Sequence, residues 1–537
     1  MKTSFIPAIF FGLLLAGYSQ VSRGPFYGSL YTPSLPTTNL VAWYAADRIT
    51  GLSNNDSVTT WSDLTVYANH TAQATASKKP TYLTNQLNGK PTVHFDGGDT
   101  LAAVDSNSLD LTAPAFIVGV FKTESTTAMK LVYKDGQYQF GTAAPAGTLI
   151  FTTLGVKDYF SVQRPAIASE WMIVAAEFDA SCDASFYVNG AKFSTVAGTV
   201  DISLSNTALY IGSDGTANYL TGDIAELAIY NHAPSAADMY VAQRYLATKW
   251  GIASTLNLTI ANAASALTTP TYDTSGQAMH PDVLYIPVGW NGYSYWMAMT
   301  PFPGGDATKE NPSILASNDG TAWVVPAGLT NPIVADPGGG YHNADVDLLL
   351  GQDGKLYLFY CLGSATTWEI LVRSSSDGVA WSAATSLVTG ANNCCSSPAV
   401  VWDGAQYVMW YINEAAAPDT LLRRTASTPD GTWSAEVDAK VIRNASMGDS
   451  LHHGNVTKRG SKYFALFDVT SLNVCMASTG LLWVCADLPM MGPSVSGWDN
   501  AILYRGSVVW TNLEAELFYS GRTAANVWHT GRVRLPM

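Results

Sequence analysis

From Leu40 onward, apolar and polar residues alternate in short runs, LVAWYAADRI, VTTWSDLT and KPTVHFDGGDTL, each broken by Asp, Asn or Gly. A period of two bounded by turn-forming residues predicts half-buried strands. FIVGVFKT, WMIVAAEFD, ASFYVNGAKF, ALYIGS and GDIAELAIYN continue the pattern, with Asn189-Gly190 as a hairpin turn. These are enough strands for two packed antiparallel sheets. One helical stretch interrupts them: Ser235 and Asp238 open a segment running to about Trp250, whose Met239, Tyr240, Leu246 and Trp250 can pack on the sandwich edge. The spacing predicts a β-sandwich over residues 38–252.

A longer period follows Leu256. SNDGTAW ends at Trp323, SSDGVAW at Trp381, TPDGTW at Trp433, STGLLW at Trp483 and a degraded GRTAANVW at Trp528, spaced 58, 52, 50 and 45 residues apart. Ahead of each stands a second Gly-centred turn leading into an aromatic strand: WNGYSYWMAM, QDGKLYLFY, WDGAQYVMWY, KRGSKYFALF and YRGSVVWTNL. Two hairpins per unit and five units predict a propeller of five four-stranded blades over 270–537, after a linker at 253–269. The fold class is all-β, a jelly-roll sandwich followed by a five-bladed β-propeller.

If both Gly turns lie on one face of the propeller, the starts of the innermost strands and the loops between second and third strands lie on the other. Counting back seven residues from Gly354, Gly404, Gly460 and Gly506 reaches Asp347, Ser397, His453 and Asp499, while blade 1 begins at His280-Pro281-Asp282. The axis mouth is therefore predicted to collect His280, Asp282, Asp345, Asp347, Ser396, Ser397, His452, His453, Asn455, Asp499 and Asn500. The second-to-third-strand loops add Asp306, Glu310, Glu414, Asp468 and Glu514. Trp290 is the aromatic candidate for stacking on a sugar face.

Composition narrows the partners. Charged residues make up 13% of the chain and net charge is −14, so there is no basic stripe for a phosphate backbone, and nucleic acid is excluded as a partner. The 16 Trp and 27 Tyr suit pleated cores and also pyranose stacking. No run after the N-terminus reaches membrane-spanning length. The opening MKTSFIPAIFFGLLLAGYSQ has the charge-then-apolar order of a secretory signal peptide, so residues 1–22 read as a signal or as a structural N-terminal segment, and the protein as extracellular, cell-surface or virion-borne. None of the six cysteines has zinc-ligand spacing; Cys475 and Cys485 flank the Thr479-Gly480 turn symmetrically, as a cross-hairpin disulfide or as two buried thiols. Esterase and nucleotide-binding signatures are missing from the sequence.

LVAWYAAD, LNGKPTVHFDGGD and GDIAELAIYNHAPSAADMYVAQRYLATKWGI resemble the concanavalin-like, laminin-G-type jelly rolls of bacterial and phage surface proteins. That resemblance implies glycan or protein binding, sometimes through calcium, with Asp96, Asp99 and Asp223 as oxygen ligands; aspartates beside glycine equally serve as turn caps. HPDVLYIPVGWNGYSYWMAMTP with ENPSILASNDG, then HNADVDLLL, SSPAVVWDG and LHHGNV, look like the five-bladed propellers of the arabinanase, levansucrase and family-43 glycoside hydrolase group. This resemblance implies a general base on blade 1, which falls on Asp282, and a tuning aspartate on blade 2, Asp345 or Asp347. It also implies a glutamic acid opening blade 3, where this chain has Ser396-Ser397-Pro398. A hydroxyl does not replace a tuned carboxyl, so Glu310 or Glu414 is the candidate acid. His280, Ser397, His453, Asn455 and Asp499 would bind the sugar. Two functions remain: an inverting glycoside hydrolase acting on a poly- or oligosaccharide, or a glycan- or receptor-binding protein without catalysis. Neither needs a cofactor, with calcium as an option.

Overall fold

The computed structural model describes residues 34–254, 259–511 and 514–535; the signal-like stretch at 1–22 lies outside them. The first domain is a sandwich of a nine-stranded and an eight-stranded sheet. Its inner faces bury Val93, Phe95, Phe140, Phe186 and Ile211, the apolar members of the period-two pattern. The helix Ala236–Trp250 starts where Ser235 accepts the Asp238 N–H and ends at Gly251, whose φ of 71° a side chain would strain. Its Met239, Leu246 and Trp250 cover the outer face of the larger sheet against Phe116, Val118 and Ile173. The fully buried Glu226 pins it there, accepting from Trp250 Nε1 at 2.7 Å and Trp43 Nε1 at 2.6 Å and pairing with Lys249 at 2.8 Å.

The three aspartates suspected of holding calcium also bond within the chain, and Asp223 stands with His94 and Glu124 in a group whose ligand-type atoms lie within 4.8 Å of one another. Asp96 and Asp99 shape one turn, Asp99 accepting the Asp96 N–H and Asp96 that of Gly98. Asp223 faces Lys122 Nζ at 2.9 Å, an ammonium standing where a cation would.

The propeller's innermost strands are Ala278–Trp290, His342–Leu350, Ser396–Trp402, His453–Arg459 and Ile502–Trp510. Blades 2, 3 and 4 have four strands and blades 1 and 5 three, fewer than the repeat predicts. In blade 1 the fourth position is a single bridge between Ala316 and Val324. In blade 5 its place is taken by the segment expected as a linker. Ile260 N–H bonds Met490 O, Ala263 N–H bonds Tyr519 Oη and Leu267 N–H bonds Thr530 O, so residues 260–267 lie along blades 4 and 5. The Asp-Gly repeat works as turn chemistry: Asp319 accepts the N–H of Thr321 and Ala322, and Asp377 those of Val379 and Ala380.

The outer strands of blades 3 and 4 pair in parallel, Val437–Ile442 against Leu482–Cys485. The sandwich core continues into this seam, with Ile442, Leu482 and Val484 buried in the same apolar cluster. Among the described residues, no helix is long and apolar enough to cross a membrane.

Cys475 and Cys485 are cross-strand partners in blade 4 and form a disulfide. The short loop it closes limits the unfolded-state entropy it removes, so Cys475→Ser is expected to cost about 2–3 kcal/mol. Thermal unfolding with and without a reductant checks this; identical midpoints would show the bridge to be without effect.

Candidate functional site

Side chains near the starts of the innermost strands form two layers along the propeller axis. In the lower layer four of the five blades clasp the next. Asp282 Oδ2 accepts the Leu348 N–H at 2.7 Å, Asp347 Oδ2 that of Val400 at 3.0 Å, Asn455 Oδ1 that of Val508 at 3.3 Å and Ser507 Oγ that of Val283 at 3.1 Å. Every donor sits one residue beyond its own blade's clasp position, so 282, 347, 399, 455 and 507 are equivalent places. Ala399 is the one without a polar side chain.

Asp282, expected as a water-activating base, stands in this clasp layer. It is 3% exposed, and its second oxygen accepts Asn455 Nδ2 at 2.8 Å, so both oxygens are engaged between blades. Burial raises its pKa; burial and the neighbouring Asp282 charge push Asp347 well above the carboxylate range. Asp347 and Asn455 likewise hold blades together and are not exposed at the mouth.

Two residues earlier on the five strands stand His280, Asp345, Ser397, His453 and Arg505. His280, Asp345 and Ser397 have φ of 55°, 51° and 52°, left-handed values that cost a non-glycine residue energy. The ladder to the second strand skips at the same place in blades 1, 2 and 3, between Met279 and Asp282, Ala344 and Asp347, and Ser396 and Ala399. A bulge at this register re-aims the side chain it carries. The strained backbone is tied down by the Ser397 N–H on Asp345 Oδ2 at 2.9 Å and the His280 N–H on Ser520 Oγ at 3.0 Å.

Three of these side chains converge. Asp345 Oδ1 lies 3.5 Å from His280 Nε2 and 3.0 Å from His453 Nε2, and one ligand-type atom from each residue falls within 4.8 Å of the others. Both imidazoles are oriented from behind: His280 Nδ1 by Thr300 Oγ1 at 3.0 Å, with Glu310 Oε1 at 3.4 Å, and His453 Nδ1 by Asp468 Oδ1 at 3.3 Å. His280 Nε2 is buried without a hydrogen-bond partner. Tyr504 closes one side, stacking on His280 with centroids 5.5 Å apart and bonding His452 Nε2 through its hydroxyl at 2.9 Å. His452 also lies 3.4 Å from Glu414, which accepts from Ser396 Oγ at 2.5 Å; these three form the rim.

The charges are sorted by burial and by neighbours. Burial drives the His280 pKa well below its ordinary value, leaving a neutral ring. Burial and the Asp345 charge push the Glu310 carboxyl well above its ordinary value, opposed by His453. Burial opposes ionisation of Asp345 too, but His453, His280 and Arg505 outweigh it and keep that carboxyl ionised. His453, against the penalty of burial, is pushed up to about 10 by Asp345 and Asp468. Arg505 donates to Ser397 Oγ at 3.0 Å and stands 3.9 Å from Asp345 Oδ1 and from Asp347 Oδ1.

Two imidazole nitrogens and one carboxylate oxygen, with His280 Nε2 free of a hydrogen bond and His453 giving up its proton on binding, fit a divalent first-row cation such as zinc better than calcium, which prefers all-oxygen shells. An oxygen behind each imidazole is the usual companion of such ligands.

Other sequence-predicted residues lie elsewhere. Trp290 ends the blade 1 inner strand that carries His280 near its start, packs on Trp296 at 5.0 Å and donates to Gly354 O, at the far end of the propeller from the mouth. Asp499 precedes the blade 5 strand and is occupied by Asn262, Ser494 and Tyr519. The cause is one wrong register: Gly506 is not a turn but pairs with Tyr519 in mid-strand, and the hairpin joins Trp510 to Ala515. Asn500 caps Ala524 N–H, Asp306 caps Thr308 and Glu514 pairs with Arg534 at 3.0 Å. The same misplacement hid Tyr504 and Arg505. The polar TNLE after the apolar VVW was the signal for the true turn.

Comparison with known proteins gives a match of residues 96–239 to the family model of the Concanavalin A-like lectin/glucanases superfamily, of laminin-G type. A curated relative, the A type blood N-acetyl-alpha-D-galactosamine deacetylase of Flavonifractor plautii, is 40% identical over 111 residues, which is 20% of this chain and 14% of that protein. The chain thus spans about a seventh of that relative's length. Among solved structures, an N-acetylgalactosamine deacetylase from F. plautii in complex with blood group B trisaccharide superposes with a TM-score of 0.46 at 20% identity, covering 52% of this chain and 96% of that one. A thermostable family-43 glycoside hydrolase superposes with a TM-score of 0.39 at 13% identity, covering 50% and 92%.

Proposed function

We propose that the chain is an exported, carbohydrate-active hydrolase that holds a divalent cation on His280, Asp345 and His453 and removes an N-acetyl group from an amino sugar. The observation that carries this reading is the meeting of two oriented imidazoles and a carboxylate at the axis mouth, with His280 Nε2 left unpartnered. An inverting glycosidase instead needs two carboxyl groups facing each other across the bond to be cleaved. Asp282 and Asp347 are engaged in blade clasps, and serines occupy the place of the acid. The amide-cleaving activity named for the F. plautii relative supports an acyl over a glycosidic target. Export accords with the Cys475–Cys485 bridge, since disulfides persist in oxidising compartments.

A cation held there would polarise the acyl oxygen and ease the ionisation of water at neutral pH. The chain's own groups complete the reaction. The Tyr504 hydroxyl, at the edge of the cluster, can donate to the oxygen that gains charge. As a water oxygen bonds to the acyl carbon and the carbon–nitrogen bond breaks, a protonated Glu310 would give its proton to the departing nitrogen and recover one from the attacking water, so that acetic acid, which ionises to acetate, and a free amine leave. The products are acetate and a sugar amine. His452 and Glu414 on the rim are placed for the sugar's hydroxyls, and the sandwich supplies a second glycan-binding unit.

A reading without catalysis draws on Arg505, whose guanidinium near Asp345 helps neutralise the cluster with no ion bound. Chelation separates the two. Acetate release from N-acetylgalactosamine-terminated oligosaccharides is expected to vanish after treatment with a chelator and to return with zinc, cobalt or manganese. Binding of the same sugars with no acetate release under any metal would favour recognition alone. Shortened chains made with no need of metal would favour glycoside hydrolysis.

A further inference from the structure

A cleft of about 840 Å³ lies between the sandwich and the outer edge of blade 3. One wall is the sandwich loop around Gln163 and Arg164 with Phe193. The other is the outer strand of blade 3, Val437–Ile442, with the loop carrying Asp419. The walls are fixed relative to each other. Gln163 Nε2 donates to Arg443 O at 3.1 Å while Arg443 N–H returns a bond to Gln163 Oε1 at 3.1 Å, and Lys192 N–H bonds Asp487 Oδ1 at 3.1 Å. A preformed space of this size between domains is a common setting for a ligand site.

One loop links the cleft to the axis mouth. The loop that gives it Asp419 begins at Glu414, which bonds Ser396 and faces His452 on the rim. Asp419 Oδ2 accepts the N–H of Leu451, the residue before His452. A chain of sugars whose terminal unit sits over the axial cluster and leaves past His452 therefore meets Asp419 and enters the cleft.

The lining suits a neutral, hydroxyl-rich ligand. Four cations, Arg164, Lys192, Lys440 and Arg443, are matched by four aspartates, so neither an anion nor a cation is favoured overall. Donor capacity is left over: among the described residues the exposed Arg164 side chain has no hydrogen bond or ion pair, while Arg443 gives one Nη2 bond to Asp419 O. Planar guanidinium forks on opposite walls, with the ring of Phe193 beside them, offer directed donors and an apolar face, which is what a pyranose presents in complement.

We infer that this cleft is an outer subsite for the saccharide whose end is processed at the axis, read jointly by Arg164 of the sandwich and Arg443 of the propeller. The inference rests on the glycan-directed reading of the axial site. Substrate length should then be sensed by the domain junction, and the sandwich contributes to substrate choice by forming half of a continuous site.

Calorimetry tests this with galacto-oligosaccharides ending in N-acetylgalactosamine, from monosaccharide to pentasaccharide, on the full chain. The expected result is an affinity rising with length and levelling off once the cleft is filled, with Arg164→Ala losing about tenfold of that gain. Arg164 is exposed, so the variant is expected to fold; matching thermal midpoints verify it. Equal affinity for all lengths, or a length gain untouched by Arg164→Ala, would overturn the inference. Binding does not require turnover, so the two readings fail separately. Length- and Arg164-dependent affinity with no acetate release contradicts the hydrolase and supports the cleft, whereas acetate release independent of length does the reverse.

Discussion

His280→Gln is expected to lower kcat/KM for acetate release on the order of a thousandfold and to weaken zinc binding by at least about a hundredfold, with little change in the unfolding transition. The side chain is neutral, its Nε2 has no hydrogen-bond partner, and its one side-chain hydrogen bond among the described residues is between Nδ1 and Thr300, beside ring contacts with His453 and Tyr504. Glutamine nearly preserves the volume, keeps a polar atom toward Thr300 and does not reproduce an imidazole nitrogen aimed at Asp345. Removing His453 or Asp345 would be less informative, because they form a buried ion pair and loss of one partner leaves the other charge unmatched. Zinc content after dialysis and steady-state kinetics together check the prediction. Retained zinc with lost activity would place His280 against the substrate, not a cation.

Asp282→Ala is expected to act on stability. It removes the acceptor for Leu348 N–H and Asn455 Nδ2 in a site with almost no access to water. Each donor left unsatisfied costs about 1–3 kcal/mol, so the propeller should lose roughly 3 kcal/mol or more. Asp282→Asn, which keeps one acceptor oxygen, should lose less and retain activity under conditions where it is folded. Chemical denaturation followed by tryptophan fluorescence, with acetate release measured on the folded fraction, checks both. A fully stable Asp282→Asn with no activity would return Asp282 to the role of general base.

The two-domain all-β organisation was legible in the sequence, since a period of two with Asp-Gly turns leaves few alternatives for Leu40 to Tyr230, and the Trp repeat marks blades directly. Blade edges were less legible. The residues around Ile260 and Leu267 carry no strong strand pattern, and they join blades 4 and 5 through backbone bonds that any sequence can make. At the site, the starts of the inner strands were the legible part: His280, Asp345, His453 and Glu310, all named from that reading, lie side by side in the structure. Their separation from Asp282 and Asp347 was not legible, because residues two apart share a face of a strand and only the bulges set one layer toward the mouth and the other between blades. Blade 5 failed for a local reason: Arg505-Gly506-Ser507 imitates the turn Arg459-Gly460-Ser461 of blade 4, and glycine in mid-strand is read as a turn when spacing alone is used.

The distinction between hydrolase and binding protein comes down to whether His280, Asp345 and His453 share a cation. Anomalous scattering from crystals grown with zinc, recorded on both sides of its absorption edge, addresses this directly. A single strong peak within bonding distance of His280 Nε2, Asp345 Oδ1 and His453 Nε2, absent from His280→Gln crystals, is the predicted result. No peak there, with His453 still paired to Asp345 and Arg505 beside them, would contradict a metal-assisted reaction at the axis.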